Sequence, residues 1–270
     1  MSEETKTVSP QQKEALVHLL FQLADDDFLF SYRGAEWLGL APHIEEDVAS
    51  ASISQDSMGH ATMFYQLLEE LGLGKADHLA HARPASERKN SILVERVNGP
   101  GHYMDGAEYD WAYAVVRSYF YTQAKKVKIE SLKQSTYVPL KEVAVRVNME
   151  LYYHLLHWKT WFVQLLTTTE EAKKRMLKAT QMVMDDWNDM FSFGDHADVM
   201  HQAGLIEEAK SLEQRWLNAL DPVLTSVGMT LPAPTSLSPL NGRSGQHSDD
   251  LAEALATLGE VYNTDPAASW

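Results

Sequence analysis

Two segments of this chain put an acid and a histidine where a helix should turn apolar residues inward. One runs Ala49, Ile53, Asp56, His60, Met63, Leu67, and the other Val143, Val147, Glu150, His154, Trp161, Leu165. Alternating steps of three and four keep each series on one side of an α-helix. An ionisable group on such a face is costly unless it is paired or holds a metal. Two helices of this kind predict an all-α four-helix bundle with a polar centre, the arrangement in which di-iron carboxylate sites are built. Those sites use Glu-x-x-His, whereas both stripes here read acid-x-x-x-His. The architecture suits a di-metal protein and the ligand spacing does not.

Composition narrows the setting. The chain has 270 residues and a formal charge of −15, so the clustered Lys and Arg that nucleic acids require are not expected. Cysteine is absent, which excludes disulfides, thiolate metal ligands and Cys nucleophiles. The polar start, Met1 to Pro10, has no apolar signal core, and no apolar run reaches transmembrane length. The expectation is a cytoplasmic protein that does not engage a membrane. Eleven Met and seven Trp supply material for large apolar contact faces, in the core or toward a partner.

The pattern along the chain predicts one helical domain over residues 1–270, with a bundle over about 10–167 and additional helices over about 168–270. Ser9-Pro10 reads as a cap and first helical position. Leu16, Leu19, Leu20 and Leu23 face inward on a first helix that extends toward Trp37, before Gly39 and Pro42. The second helix spans about Glu45 to Leu71, with Gly72 closing it. A long connection to about Asp105 follows, as a ferritin-like bundle requires between two helices running the same way. The third and fourth helices span about Glu108–Lys133 and Pro139–Leu166. Thr168 with Glu171 suggests a capping box for a fifth helix to about Phe193. A sixth runs from about Leu205 to Leu220 and meets Pro222. The Pro-, Ser- and Gly-rich stretch 231–245 reads as loop, and Ser248 can cap a last helix with Leu251, Leu255 and Leu258 on one face.

Each polar motif has a plain and a functional reading. The pairs Asp56/His60 and Glu150/His154 are either a hydrogen-bonded polar core that fixes helix register or part of a metal site to which Glu36 adds a carboxylate. The third helix opposes the second reading. Its Tyr119, Thr122, Gln123, Lys125 and Lys126 offer no acid, and a cation there would pair with the acids. Asp185-Asp186-Trp187-Asn188-Asp189 matches the DDxxD pattern of class I diphosphate enzymes, but no fitting second motif accompanies it. Acid triplets are usual on solvated helix faces, and Asp25-Asp26-Asp27 reads as another. Lys125, Lys126 and Lys128 read as a solvated face, or as a hold for a phosphate-bearing ligand such as coenzyme A. His43, His78, His81, His196, His201 and His247 fall in expected loops and read as surface residues. No P-loop, dinucleotide or Gly-x-Ser-x-Gly spacing occurs.

Several motifs, in order, carry a resemblance. They are Gly34-Ala35-Glu36-Trp37, Ala41-Pro42, Glu45-Glu46-Asp47-Val48-Ala49 and Gln55-Asp56-Ser57-Met58-Gly59-His60-Ala61. They continue with Ile92-Leu93-Val94-Glu95-Arg96-Val97-Asn98-Gly99, Glu150-Leu151-Tyr152-Tyr153-His154-Leu155 and Gly242-Arg243-Ser244-Gly245-Gln246-His247. From about Leu16 to Trp270 the chain resembles the C subunits of the phenylacetyl-CoA ring 1,2-epoxidase. The resemblance implies a ferritin-like fold and a structural, non-catalytic subunit of a multicomponent monooxygenase in aerobic phenylacetate catabolism. It implies a metal-bearing A subunit as partner, beside other epoxidase subunits. The di-iron centre would lie in that partner, with electrons from NADPH through a separate reductase and no cofactor in this chain. Glu36, Asp56, His60, Thr122, Glu150 and His154 would then be degenerate metal-site positions. Gly59 and Tyr153 stand where a metal-binding relative has His, and Thr122 where members can carry an acid. Two other readings compete: an independent di-metal carboxylate oxidoreductase and, more remotely, a class I diphosphate enzyme.

Overall fold

The computed structural model describes residues 9–268; the outermost parts of the polar N-terminal stretch and of the matched span, residues 1–8 and 269–270, lie outside it. The described chain is all-α. Four long helices form the bundle: α1 (Pro10–Ala35), α2 (Ile44–Glu70), α5 (Trp111–Leu132) and α6 (Val138–Thr168). The crossover between α2 and α5 carries two short helices, α3 (Ala76–His81) and α4 (Ile92–Glu95). After the bundle come α7 (Glu170–Asp185), α8 (Ala197–Gln202), α9 (Ala209–Ser226) and α10 (Asp249–Thr264). Helix α1 packs along α2 and α5 along α6, in the ferritin-like arrangement, while α7 and α9 cover the outer side of α5.

Local signals account for several boundaries. Ser9 and Gln12 form a capping box in front of Pro10. Gly72, with φ +86°, lets the Leu73 and Gly72 amides donate back to the carbonyls of Leu68 and Glu69 and so ends α2. Asp110 caps α5 through the Ala112 amide. The four leucines expected inward on α1 are all buried.

Several boundaries differ from the sequence expectation. Thr169, one residue past Thr168, caps α7 by accepting from the Ala172 amide. Helix α7 stops at Asp185, well short of Phe193, because the next acids turn to other partners. The Asp185 carboxylate accepts from the Thr235 amide at 2.7 Å. Arg96 grips Asp186 with two bonds of 2.9 Å, and Asp189 accepts from Ser91 Oγ at 2.7 Å and the Gly242 amide at 2.9 Å. Pro222 lies inside α9. The buried Val223 and Leu224 carry the helix past it, so the lost donor does not end it. Ser248 occupies the cap position of α10, but its hydroxyl donates to Glu95 Oε1 at 2.8 Å.

Candidate functional site

The buried seam of α6 is Leu140, Ala144, Val147, Leu151, His154, Trp158, Phe162 and Leu166. Glu150 sits on the rim of that seam, and Asp56 sits likewise on α2. Each acid therefore reaches the buried histidine of the facing helix. Glu150 Oε2 lies 2.6 Å from His60 Nε2, and Asp56 Oδ2 lies 2.9 Å from His154 Nε2. The two imidazole centroids are 6.1 Å apart. Both histidines are buried, whereas the acid side chains are 43% (Asp56) and 49% (Glu150) exposed.

The third wall of the centre supplies a cation. Lys125 of α5 places Nζ 2.7 Å from His60 Nδ1 and 2.7 Å from Asp27 Oδ1 on α1. Tyr121 also donates to Asp27 Oδ1 at 2.7 Å. An ammonium can only donate, so Nδ1 of His60 accepts and Nε2 carries the proton toward Glu150. Burial holds both imidazoles below their ordinary pKa, and Lys125 pushes each further the same way. Burial also lowers the Lys125 ammonium against the pull of Asp27, and it raises Asp27 against the pull of Lys125. A continuous chain of four groups thus crosses the bundle from Asp27 through Lys125 and His60 to Glu150.

The triplet Asp25-Asp26-Asp27, expected on a solvated face, is fully inside. Three successive residues point in three directions around α1, and each meets its own cations. Asp25 takes Arg83, Arg88 at 3.2 Å and Tyr65 Oη at 2.6 Å. Burial disfavours its carboxylate, yet the two guanidiniums hold it below the usual range. Asp26 accepts two bonds from Arg243, of 2.9 and 2.8 Å, and has Lys128 at 3.7 Å. Lys125 and Lys128 are therefore internal counter-charges and present no solvated or phosphate-binding face. Burial pushes the Lys128 ammonium down to about 8, with Arg243 acting in the same direction. Lys126 alone of the three reaches outward, to Asn148 at 2.8 Å.

The remaining candidates lie elsewhere. Glu36 caps the end of α1, paired with Arg33 at 2.8 Å and accepting from Asn98 Nδ2 at 2.8 Å. Thr122 is buried one turn before Lys125. Gly59 and Tyr153 are exposed, so an i+3 histidine at either place would point away from the centre. His247, expected at the surface, is buried between Glu95 Oε2 at 2.7 Å and the Arg88 carbonyl at 3.0 Å. Asp185, Asp186 and Asp189 are engaged with protein donors, which removes the carboxylates a diphosphate enzyme needs.

Sequence reasoning also missed what the crossover does. Asn98 joins α1 to the crossover: it accepts from Trp37 Nε1 at 2.9 Å and donates to the Arg33 carbonyl at 2.8 Å. Gly242 passes so close to the Asn90 carbonyl that a Cβ would lie 1.9 Å from its oxygen. The motifs around 34–37, 92–99 and 242–247 thus meet in space and fasten the crossover and the C-terminal loop to α1. Their only advance signal was the density of Arg, Asn and Gly in segments that read as loops.

The family model for the phenylacetic acid catabolic protein matches residues 1–270. The chain belongs to that family. A relative from Escherichia coli (strain K12), the C subunit of its 1,2-phenylacetyl-CoA epoxidase, is 24% identical over 250 residues, covering 92% of this chain and 96% of the relative.

In this member of the phenylacetic acid catabolic family the bundle centre does not fit a di-iron group. Both nitrogens of His60 are engaged, one of them by an ammonium. The α5 wall contributes Lys125 and Thr122 where anionic oxygens would be needed. Among the described residues, Asp56, His60, Glu150 and His154 do not bring three ligand atoms within 4.8 Å of one another. What the arrangement can do is hold four helices in one register through paired charges.

Proposed function

We propose that this chain is a non-catalytic structural subunit of a multicomponent monooxygenase that epoxidises phenylacetyl-CoA, and that it acts as one folded unit in the cytoplasm. The observation that carries this reading is Lys125: a cation bonded to His60 and Asp27 sits where a catalytic bundle would gather carboxylates around iron. The di-iron centre then belongs to a homologous partner subunit, with electrons from NADPH through a separate reductase. Glu36, Asp56, His60, Thr122, Glu150 and His154 keep bundle positions and hold no metal.

An apolar face supports the partnership. Met149, Tyr152, Tyr153 and Leu156 are all exposed on α6, beside the half-open acid pairs. Aromatic and Met side chains are enriched in interfaces, and permanent contacts between subunits bury on the order of 2,000 Å² or more. No described helix is long and apolar enough to cross a membrane, so this face is not part of a membrane-spanning helix.

Co-expression with the metal-bearing homologue tests the proposal. A stable complex is expected that oxygenates phenylacetyl-CoA in the presence of reductase, with activity lost when this chain is left out. A partner equally soluble and active without this chain would defeat it. Near-stoichiometric iron in the isolated chain, with turnover unaided, would favour the independent di-metal oxidoreductase.

A further inference from the structure

We propose that Glu14, His18 and His196 form a binding site for a divalent first-row transition metal, zinc foremost, that clamps α1 to the segment leading into α8. Glu14 and His18 are one turn apart on α1, so their side chains leave the helix on the same side. His196 closes the short turn Gly194–His196 immediately before α8 and reaches back over that side. One ligand atom from each of the three lies within 4.8 Å of the other two, and Glu14 Oε1 stands 4.0 Å from His196 Nε2. In a tetrahedral zinc site ligand atoms are roughly 3.4 Å apart. Shifts of about 1 Å or less per side chain, on a half-open surface, bring these three to that spacing.

The chemistry of the three groups points to a metal of borderline softness. Two imidazoles and one carboxylate, with water in the fourth position, form a donor set that zinc accepts and that calcium and magnesium do not favour. The ring centroids of His18 and His196 are 4.1 Å apart, with the two planes tilted by 37°. His196 Nε2 stands beyond hydrogen-bond distance of the Glu14 carboxylate, which leaves it open to a ligand. Burial keeps His18 below its ordinary pKa, and His196 beside it adds to that, so the neutral, coordinating imidazole prevails at neutral pH. Of the other charges facing the pair, Asp195 favours a cation and Lys89 opposes one. The cluster is separate from the Lys125 centre, so a metal there acts on the packing of α8 against α1 and is independent of the role proposed above.

The test uses the full chain without a tag, freed of metal by chelation, and titrates it with zinc alone and with cobalt as a spectroscopic stand-in. One equivalent per chain is expected, with a Tm rise of about 5 °C at a hundredfold excess over Kd, and no rise with calcium or magnesium. His196→Ala should weaken zinc binding at least about tenfold and remove the Tm rise. Glu14→Gln keeps the shape of the exposed rim and should weaken binding while leaving the metal-free Tm unchanged. His201→Ala, at an exposed histidine of α8, should bind as the parent does. Zinc binding unchanged in both His196→Ala and Glu14→Gln, or no stoichiometric binding below about 100 µM metal, would overturn the site.

Discussion

The acids of α1 and the acids of the α2–α6 seam are paired in opposite ways. Asp25, Asp26 and Asp27 are sealed, and their cations arrive from the crossover, from α5 and from the C-terminal loop. Asp56 and Glu150 stand at the rim, about half in solvent, and only their histidine partners are buried. The same residue types therefore carry different energetic weight. A sealed pair leaves an uncompensated charge when one member is removed, while a rim pair can fall back on water.

Arg243→Ala should show the largest effect. It leaves Asp26 with Lys128 at 3.7 Å as its remaining cation, and should cost about 3–5 kcal/mol, measured by urea unfolding or seen as failure to fold. Lys125→Met should cost about 3 kcal/mol by stranding Asp27. Adding Asp27→Asn should recover much of that loss, since the pair is coupled. If the double variant is as unstable as the sum of the singles, the sealed region is not held by this pairing.

The pH dependence separates the regions further. Burial holds His60, His154 and His157 below their ordinary values, and it pushes His157 down to about 4. The unfolded chain then takes up protons first as pH falls, so the stability these groups contribute is complete above about 6.5 and is lost below it. For His157 the loss runs from about 6.5 to about 4, with a slope of at most about 1.4 kcal/mol per pH unit. His157→Gln should flatten the curve of unfolding free energy against pH over that window. The smallest effect is expected for Glu150→Gln, about 1 kcal/mol or less. A loss as large as that of Arg243→Ala would erase the distinction between rim and sealed acids.

The long bundle helices were legible because their seams repeat in steps of three and four and the ends of the first two carry Ser9-Pro10 and Gly72. That the two stripes line one polar centre was legible for the same reason, but which acid takes which histidine was not: the bonds cross from helix to helix, Glu150 to His60 and Asp56 to His154. The Asp25-Asp26-Asp27 triplet was not. Three adjacent positions on a helix cannot share one face, so no periodicity marks them as buried. Their partners sit far away in the chain, Arg83 at a separation of 58 and Arg243 at 217. Lys128 was misread with them, because a lysine reads as solvated until the acid opposite is known. For Lys125 the solvated reading failed, while the reading as a cation that pairs with an acid held, the acid being Asp27. The resemblance motifs pointed to the right segments, but not to their work in joining α1, the crossover and the C-terminal loop. The end of α7 at Asp185, short of the expected Phe193, was missed for a related reason: the donors that turn Asp185 and Asp186, Arg96 and the Thr235 amide among them, belong to other parts of the chain.

The bond between Asp26 and Arg243 also has a consequence in time. During synthesis α1 emerges first, and its middle acid waits for a residue made more than two hundred positions later. A bundle assembled before that moment would hold a buried carboxylate with Lys128 as its main counter-ion. The final packing of α1 is therefore deferred until the loop before α10 has left the ribosome, and a nascent chain truncated ahead of Arg243 should stay open to protease along its first helix.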